Sequence, residues 1–389
     1  MLFPAAMRRL SKVRTRRIRR LVPRLLLAAA SLLAVLALCE LGVRVFTAGR
    51  YGRRPPVFGP DPQTVFATTP GIDDVFHGSD YSTAIRTDAF GCRLGELGEV
   101  PADVEAVLLS GDSYTFGWGV STADTGASRF DRLLWDGSGK TTRAINLGVG
   151  GFGTLQSALR LAAYLRRHPD LKLRALVFTH CHNDVTDNTD PERLGVLSGT
   201  MATFALPVRN PSRSQLWNLL RRTYLDLRQH RNRDLDASFG FGVRRLQTAS
   251  PEEFEIAGVT VHRRELVPAS TAERVTHRRR SFTDLQRRLL AASIELLHRA
   301  VRDRGIRVYH TFIRTVPEYY LRAVSALIAA APAYGNEIVN LGRVPVQDDF
   351  HGEIVNRHSG AHFTPEFNRV WAERMYQILR DGDPNLHLR

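Results

Sequence analysis

Ala106-Val107-Leu108-Leu109-Ser110-Gly111-Asp112-Ser113 is an apolar run that stops on a polar turn. Consecutive apolar residues without alternation read as a strand buried on both faces, the kind found in the parallel sheet of an α/β protein. Such sheets carry their reactive groups beyond the carboxyl ends of the strands. Ser113 stands at that end, where a nucleophile on a strand-to-helix turn would sit. Gly, Asp and Ser are also ordinary turn residues, so the tripeptide alone fits a plain turn equally well.

Three further segments add to it, in chain order. Ala144-Ile145-Asn146-Leu147-Gly148-Val149-Gly150-Gly151-Phe152-Gly153 follows a short strand-like run, and its glycines allow backbone amides to approach a ligand closely. Ala175-Leu176-Val177-Phe178-Thr179-His180-Cys181-His182-Asn183-Asp184 repeats the pattern of an apolar run ending in polar side chains. Gly360-Ala361-His362-Phe363-Thr364-Pro365-Glu366 places a histidine just before a helix start. A serine hydroxyl must lose its proton as it attacks, and His is the side chain whose pKa suits that task.

With these four blocks in this order, the chain resembles the SGNH, or GDSL, hydrolase family over roughly residues 84 to 380. Residues 111–120 and 146–156 resemble its bacterial, membrane-anchored branch. The resemblance implies an α/β fold, a three-layer flavodoxin-like arrangement around a parallel sheet, and ester hydrolysis through an acyl-enzyme. It implies Ser113 as nucleophile, His362 as base, and Gly151 and Asn183 as oxyanion donors, with no cofactor and no metal. Gly151 is chosen over Gly148 and Gly150 because the family's glycine lies five residues after a strand-end asparagine, here Asn146.

The chain departs from the family where the third triad member belongs. An aspartate two or three residues before the histidine is usual there, yet positions 359 and 360 are Ser359 and Gly360. Asp348 and Asp349 lie upstream as alternative orienting acids, and a Ser–His dyad is the other reading. Asp348 also stands in Asp-x-x-His spacing with His351, a rival base. His362 is preferred because a helix opens directly after it: Thr364 can cap, Pro365 suits the first turn, and Phe367, Val370, Trp371, Met375, Ile378 and Leu379 share one face.

Charge is concentrated at the N-terminus. Nine of the 54 basic residues and none of the 39 acidic ones fall in the first 24 positions. The uncharged run Leu25 to Cys39 follows, then Glu40 and Arg44. About 20 apolar residues cross a bilayer as a helix, and basic flanks stay on the cytoplasmic side. The pattern therefore predicts a basic cytoplasmic segment over 1–24 and a signal anchor over 25–46, with the remaining chain extracytoplasmic on a bacterial inner membrane. A cleavable leader is disfavoured by Leu38, where a lipoprotein-type site needs a small residue. A nucleic-acid partner is set aside because the basic run abuts an apolar segment, which makes anionic lipid its contact.

Residues 47–83, rich in Pro and Gly, read as a linker leading into a small extension of the globular part. The hydrolase-like domain spans 84–380 with an insertion at about 190–275, and 381–389 form a tail. Helices are predicted at Gly153 to Arg167 and Thr283 to Arg304, the latter leading into a strand from Ile306 to Thr311. Cys92 and Cys181 are either a disulfide or, as preferred, free thiols. A zinc reading of His180-Cys181-His182 is disfavoured because neighbours on a strand point to opposite faces. The expected activity is an extracytoplasmic serine esterase acting on O-acyl groups of an envelope glycan or lipid. An O-acetyltransferase of the same fold and a non-catalytic envelope-assembly or carbohydrate-binding module are the alternatives.

Overall fold

The structure, a computed structural model, describes residues 3–47, 57–61, 63–77, 82–190, 212–231, 252–266, 281–312, 318–329, 338–343, 355–356 and 362–382. The chain forms two compact units. One comprises Met1–Pro55 with Val208–Leu235, the other Pro56–Pro207 with Asp236–Arg389.

The larger unit is built on a five-stranded sheet of β1 (Glu105–Ser110), β2 (Thr142–Asn146), β3 (Leu173–His180), β4 (Arg307–Phe312) and β5 (Ile338–Arg343). All neighbouring pairs are parallel, and the spatial order is β2-β1-β3-β4-β5. This is the doubly wound order whose direction reverses between β1 and β3, which leaves a crevice beyond the carboxyl ends of those strands. β1, which carries the apolar run Ala106–Leu109, lies between β2 and β3. Ala106, Val107 and Leu108 are fully buried, as a strand covered on both faces must be.

Helices cover both faces. Val107 and Leu109 pack toward α2 (Gly126–Gly137) and the C-terminal helix, while Ala106 and Leu108 pack toward α3 (Thr154–Arg167). The smaller unit holds α1 (Phe3–Phe46) and α4 (Gln215–Arg231). The larger unit continues with α5 (Asp284–Val301), α6 (Glu318–Ala329) and α7 (Pro365–Gly382). α5 lies beside α3 and buries Leu285, Leu289, Leu290, Ile294, Leu297 and Val301, the stripe that its periodicity predicts. Its start is fixed by a reciprocal cap: Gln286 N–H donates to Thr283 Oγ1 at 3.3 Å, and Thr283 N–H donates to Gln286 Oε1 at 2.8 Å. α3 is buried more widely than a single stripe. Arg160, Leu161 and Tyr164 are inside, whereas Leu159 is only partly covered.

The segment expected as a linker contributes structure. Phe58–Asp61 pairs with Val65–Thr68 and Asp73–His77 with Ser82–Arg86, both antiparallel. Phe58, Phe66 and Ile85 from these hairpins form one cluster with Phe116, Trp118, Val149 and Phe152. Their aromatic rings therefore brace the two loops that follow β1 and β2. The expected insertion is divided: its described residues 212–231 belong to the smaller unit, while a hairpin of Glu253–Ile256 and Val259–His262 packs Ile256 and Val261 against Leu155 of α3 and Leu289 of α5.

Candidate active site

Three loops converge because three adjacent strands end together. Leu109 of β1 is paired with Asn146 of β2, and Ser110 with Phe178 of β3. Ser113 lies three residues past the end of β1, Gly151 five past β2, and Asn183 three past β3.

The turn that carries Ser113 is held by close packing. At Gly111, φ is +154°, and a Cβ there would lie 2.4 Å from Thr115 Oγ1 and 2.9 Å from the Thr179 carbonyl oxygen. A Cβ on Gly148 would sit 2.5 Å from Phe116 N. Only glycine permits these approaches. Asp112 caps the single helical turn Ser113–Phe116 by accepting the Tyr114 N–H at 3.0 Å. Its carboxyl is buried, and that burial raises its pKa, against the pull of the Tyr114 N–H bond and the nearby His362.

His362 Nε2 stands 2.8 Å from Ser113 Oγ, across 249 positions of sequence. Both residues are buried. The imidazole is placed by its neighbours: its ring lies 5.1 Å from that of Tyr114, and Phe363 meets Tyr114 edge-on at 4.7 Å. His362 pairs with Asn356 in a short antiparallel ladder. α7 begins directly after it, capped by Thr364 Oγ1, which accepts the Phe367 N–H at 3.1 Å. Phe367, Trp371, Met375 and Leu379 are buried along the helix, while Val370 and Ile378 are partly covered. The geometry suits proton transfer from the serine hydroxyl to Nε2 of a neutral imidazole.

Gly151 is buried with φ +82° in the loop after β2. Asn183 is half-buried at the start of a helical turn, and its Nδ2 donates one N–H to Asp187 Oδ2 at 2.5 Å. An amide nitrogen has two donors, so one remains beyond that bond. Asp348, Asp349 and the rival His351 lie outside the described residues. Cys92 and Cys181 are both buried free thiols, and burial pushes each well above its ordinary pKa. Among the described residues, no group of three His, Cys, Asp or Glu side chains is arranged to hold a metal ion.

The sequence reading missed the residues that tie these loops down. Asn146 Nδ2 donates to the Thr115 carbonyl at 2.9 Å, and its Oδ1 accepts the Gly148 N–H at 3.0 Å, joining the glycine loop to the turn that carries Ser113. Buried Arg93 donates to the carbonyls of Phe116, Gly117, Val120 and Ala84 at 2.5 to 3.3 Å. Arg160 does the same for Leu147 and Gly91. Nothing in local periodicity marks an arginine as an internal clamp, though Arg160 stands within the apolar pattern of its helix.

Behind the third loop runs a buried chain of polar side chains. His298 Nε2 meets His310 Nε2 at 3.0 Å, His310 Nδ1 meets His180 Nε2 at 2.9 Å, and His180 Nδ1 meets Tyr320 Oη at 3.3 Å. Tyr320 donates to Asp184 Oδ2 at 3.4 Å, and that oxygen also accepts the Cys181 N–H at 2.9 Å. With all three imidazoles neutral, each link has one donor and one acceptor when His298 Nε2–H starts the chain. Burial lowers the pKa of His180 to about 3 and of His298 to about 4, and depresses His310 well below its usual value.

These depressed values set a pH dependence of stability. The unfolded chain takes up protons at about pH 6.5 whereas the folded histidines stay neutral, so their contribution is complete above that pH and is lost as pH falls toward 4. Each contributes a slope of about 1.4 kcal/mol per pH unit in that window. Asp112 and Asp184, whose folded pKa values are raised, act with the opposite sign. The informative quantity is therefore a difference: His298→Gln, which cannot titrate, should show a dependence shallower than wild type by about 1 kcal/mol per unit between pH 6 and 5 in urea unfolding. Equal slopes would show that His298 does not stay neutral in the folded chain.

No family model matches the chain, and no curated protein matches it. Among solved structures, it is similar to AlinE4, described as an SGNH-hydrolase family esterase, with 15% identity, a TM-score of 0.30, and coverage of 67% of this chain and 92% of that one. A mutant of the same esterase matches at 14% identity and a TM-score of 0.29, covering 73% of this chain and 100% of that chain.

Proposed function

We propose that the chain is a membrane-anchored serine esterase of the SGNH type. The observation that carries this reading is the 2.8 Å approach of His362 Nε2 to Ser113 Oγ beyond the carboxyl end of β1. In the proposed reaction, Ser113 Oγ bonds to the carbonyl carbon of an ester while its proton passes to His362. The tetrahedral oxyanion is met by the backbone N–H groups of Ser113 and Gly151 and by the side-chain amide of Asn183, donors of a kind worth roughly 3 to 4 kcal/mol each. As the C–O bond to the leaving group breaks, His362 returns the proton to the departing oxygen. Water then attacks the acyl-enzyme with His362 as base, which releases the acid and restores the serine.

α1 supports the location: Val22–Phe46 is long and apolar enough to cross a membrane. Eight basic residues between positions 8 and 20 precede it, which favours a cytoplasmic N-terminus and a catalytic unit on the outer face. O-acyl groups of an envelope glycan or lipid are the substrate class proposed for that compartment. The test is covalent labelling of the full-length protein in detergent by a fluorophosphonate, with peptide mapping, beside hydrolysis of a short activated ester. Label on Ser113 and turnover are expected. Label on another residue, or neither label nor turnover, would overturn the proposal.

A further inference from the structure

The chemistry proposed above makes no use of α4, which the structure places in one unit with the N-terminal helix rather than with the sheet. The link between α1 and the start of α4 centres on one carboxylate, beside a bond from Arg44 to the Arg213 carbonyl at 3.4 Å. Glu40 Oε1 accepts the Gln215 N–H at 2.9 Å, and Oε2 accepts the Leu216 N–H at 2.9 Å and the Ser214 hydroxyl at 2.8 Å. Arg44 Nε adds a fourth bond to Oε1 at 2.7 Å. Glu40 thus serves as a cap supplied from another helix, with its charge against the positive end of the α4 dipole. This accounts for an acid at the end of an apolar segment, where an unsatisfied carboxylate would be costly.

The same bonds fix the depth of α4. Val22–Phe46 has 25 residues, about 37 Å at 1.5 Å per residue, against a hydrocarbon thickness of about 30 Å. Glu40 lies roughly 27 Å along the segment from Val22, where hydrocarbon gives way to headgroups. α4 therefore begins at the membrane surface. There it exposes Trp217, Leu220 and Tyr224 at 58%, 54% and 61%. Their spacing of three and four residues sets them on one helix face. The helix also carries Arg221, Arg222, Arg228 and Arg231 against one acid, Asp226. An apolar face with Trp and Tyr on an arginine-rich helix is the composition that suits an anionic lipid interface.

We infer that α4 is an interfacial helix, seated in the headgroup region of the bilayer that α1 crosses, with Trp217, Leu220 and Tyr224 in the acyl boundary. The inference rests on the reading of α1 as a membrane span. It gives the interrupting segment a purpose: a second contact with the membrane, tied to the first through Glu40.

The experiment uses the full-length chain in phosphatidylcholine vesicles containing phosphatidylglycerol, with a fraction of the phosphatidylcholine brominated either near the headgroup or deep in the acyl chain. The difference in tryptophan emission between wild type and Trp217→Phe isolates Trp217. Quenching of that difference is expected, more by shallow than by deep bromine. Leu32→Trp in the Trp217→Phe background reports on the span and should show the reverse order. Unquenched Trp217 with a quenched residue at 32, or Trp217 quenched chiefly by deep bromine, overturns the interfacial helix and leaves the span intact. Absence of quenching at both positions overturns the span and the inference together.

Discussion

Ser113→Ala is expected to lower ester turnover on the order of 10⁶-fold, the scale on which loss of the nucleophile from a serine–histidine unit is felt. The stability of the fold should change by no more than about 1 kcal/mol, because the hydroxyl has little packing role and its strongest contact is the His362 ring. His362→Ala should fall into the same range. The Ser113→Ala, His362→Ala double variant should be no worse than either single one, since residues that act as a unit are not additive. Single-turnover assays of purified variants, with circular dichroism to confirm folding, would read all three. Losses that multiply would mean that serine and histidine act separately.

The same assay addresses the orienting acid. His351→Ala is expected to leave turnover near that of wild type. A large loss in Asp348→Ala or Asp349→Ala alone identifies an orienter displaced along the chain, whereas no loss in either supports a dyad. Severe losses in both His351→Ala and Asp348→Ala, with His362→Ala mild, would transfer the base to the 348–351 segment and leave the 2.8 Å contact without a catalytic role.

How much of this was legible in the sequence depends on how far apart the interacting residues lie. β1, β3 and α5 could be read because their signals are local: a continuous apolar run and a 3.6-residue stripe. The Ser113 and His362 pairing, 249 positions apart, was reachable only through the order of the four blocks. The hairpins at 58–86 were hidden by their own turn residues. Phe58-Gly59-Pro60-Asp61 reads as a loop, and it becomes a strand because Phe58 stacks on Trp118 at 5.8 Å and Phe66 meets Phe152 edge-on at 5.2 Å. Glu40 gave the opposite difficulty. Its position at the end of an apolar helix reads as a boundary, while its partners 174 to 176 positions away leave no trace in the local pattern.

A buried ion pair on the sheet edge carries the second large expectation. Arg143 of β2 donates from Nε and a terminal nitrogen to the two oxygens of Asp131 in α2, at 2.8 and 2.9 Å, and each side chain is about 5% exposed or less. Asp131 also accepts the Ala144 N–H at 2.6 Å. Asp131→Ala strands a guanidinium that cannot lose its proton, and removes the partner of a backbone donor. A loss of about 3 to 5 kcal/mol is expected. Arg143→Met strands a carboxyl instead, and a carboxyl can be neutralised. Burial already raises the Asp131 pKa with its partner present, so without Arg143 the group should take up a proton on folding. The loss in Arg143→Met should therefore be smaller than in Asp131→Ala, and it should shrink as pH falls from 7 to 5, because the folded state then binds more protons than the unfolded one. Asp131→Ala removes the titrating group itself, so its loss should not shrink over the same range. Urea unfolding of both variants at pH 7, 6 and 5 would decide it. Parallel pH dependences would mean that water reaches the pair and that it is not the dry contact its exposure indicates.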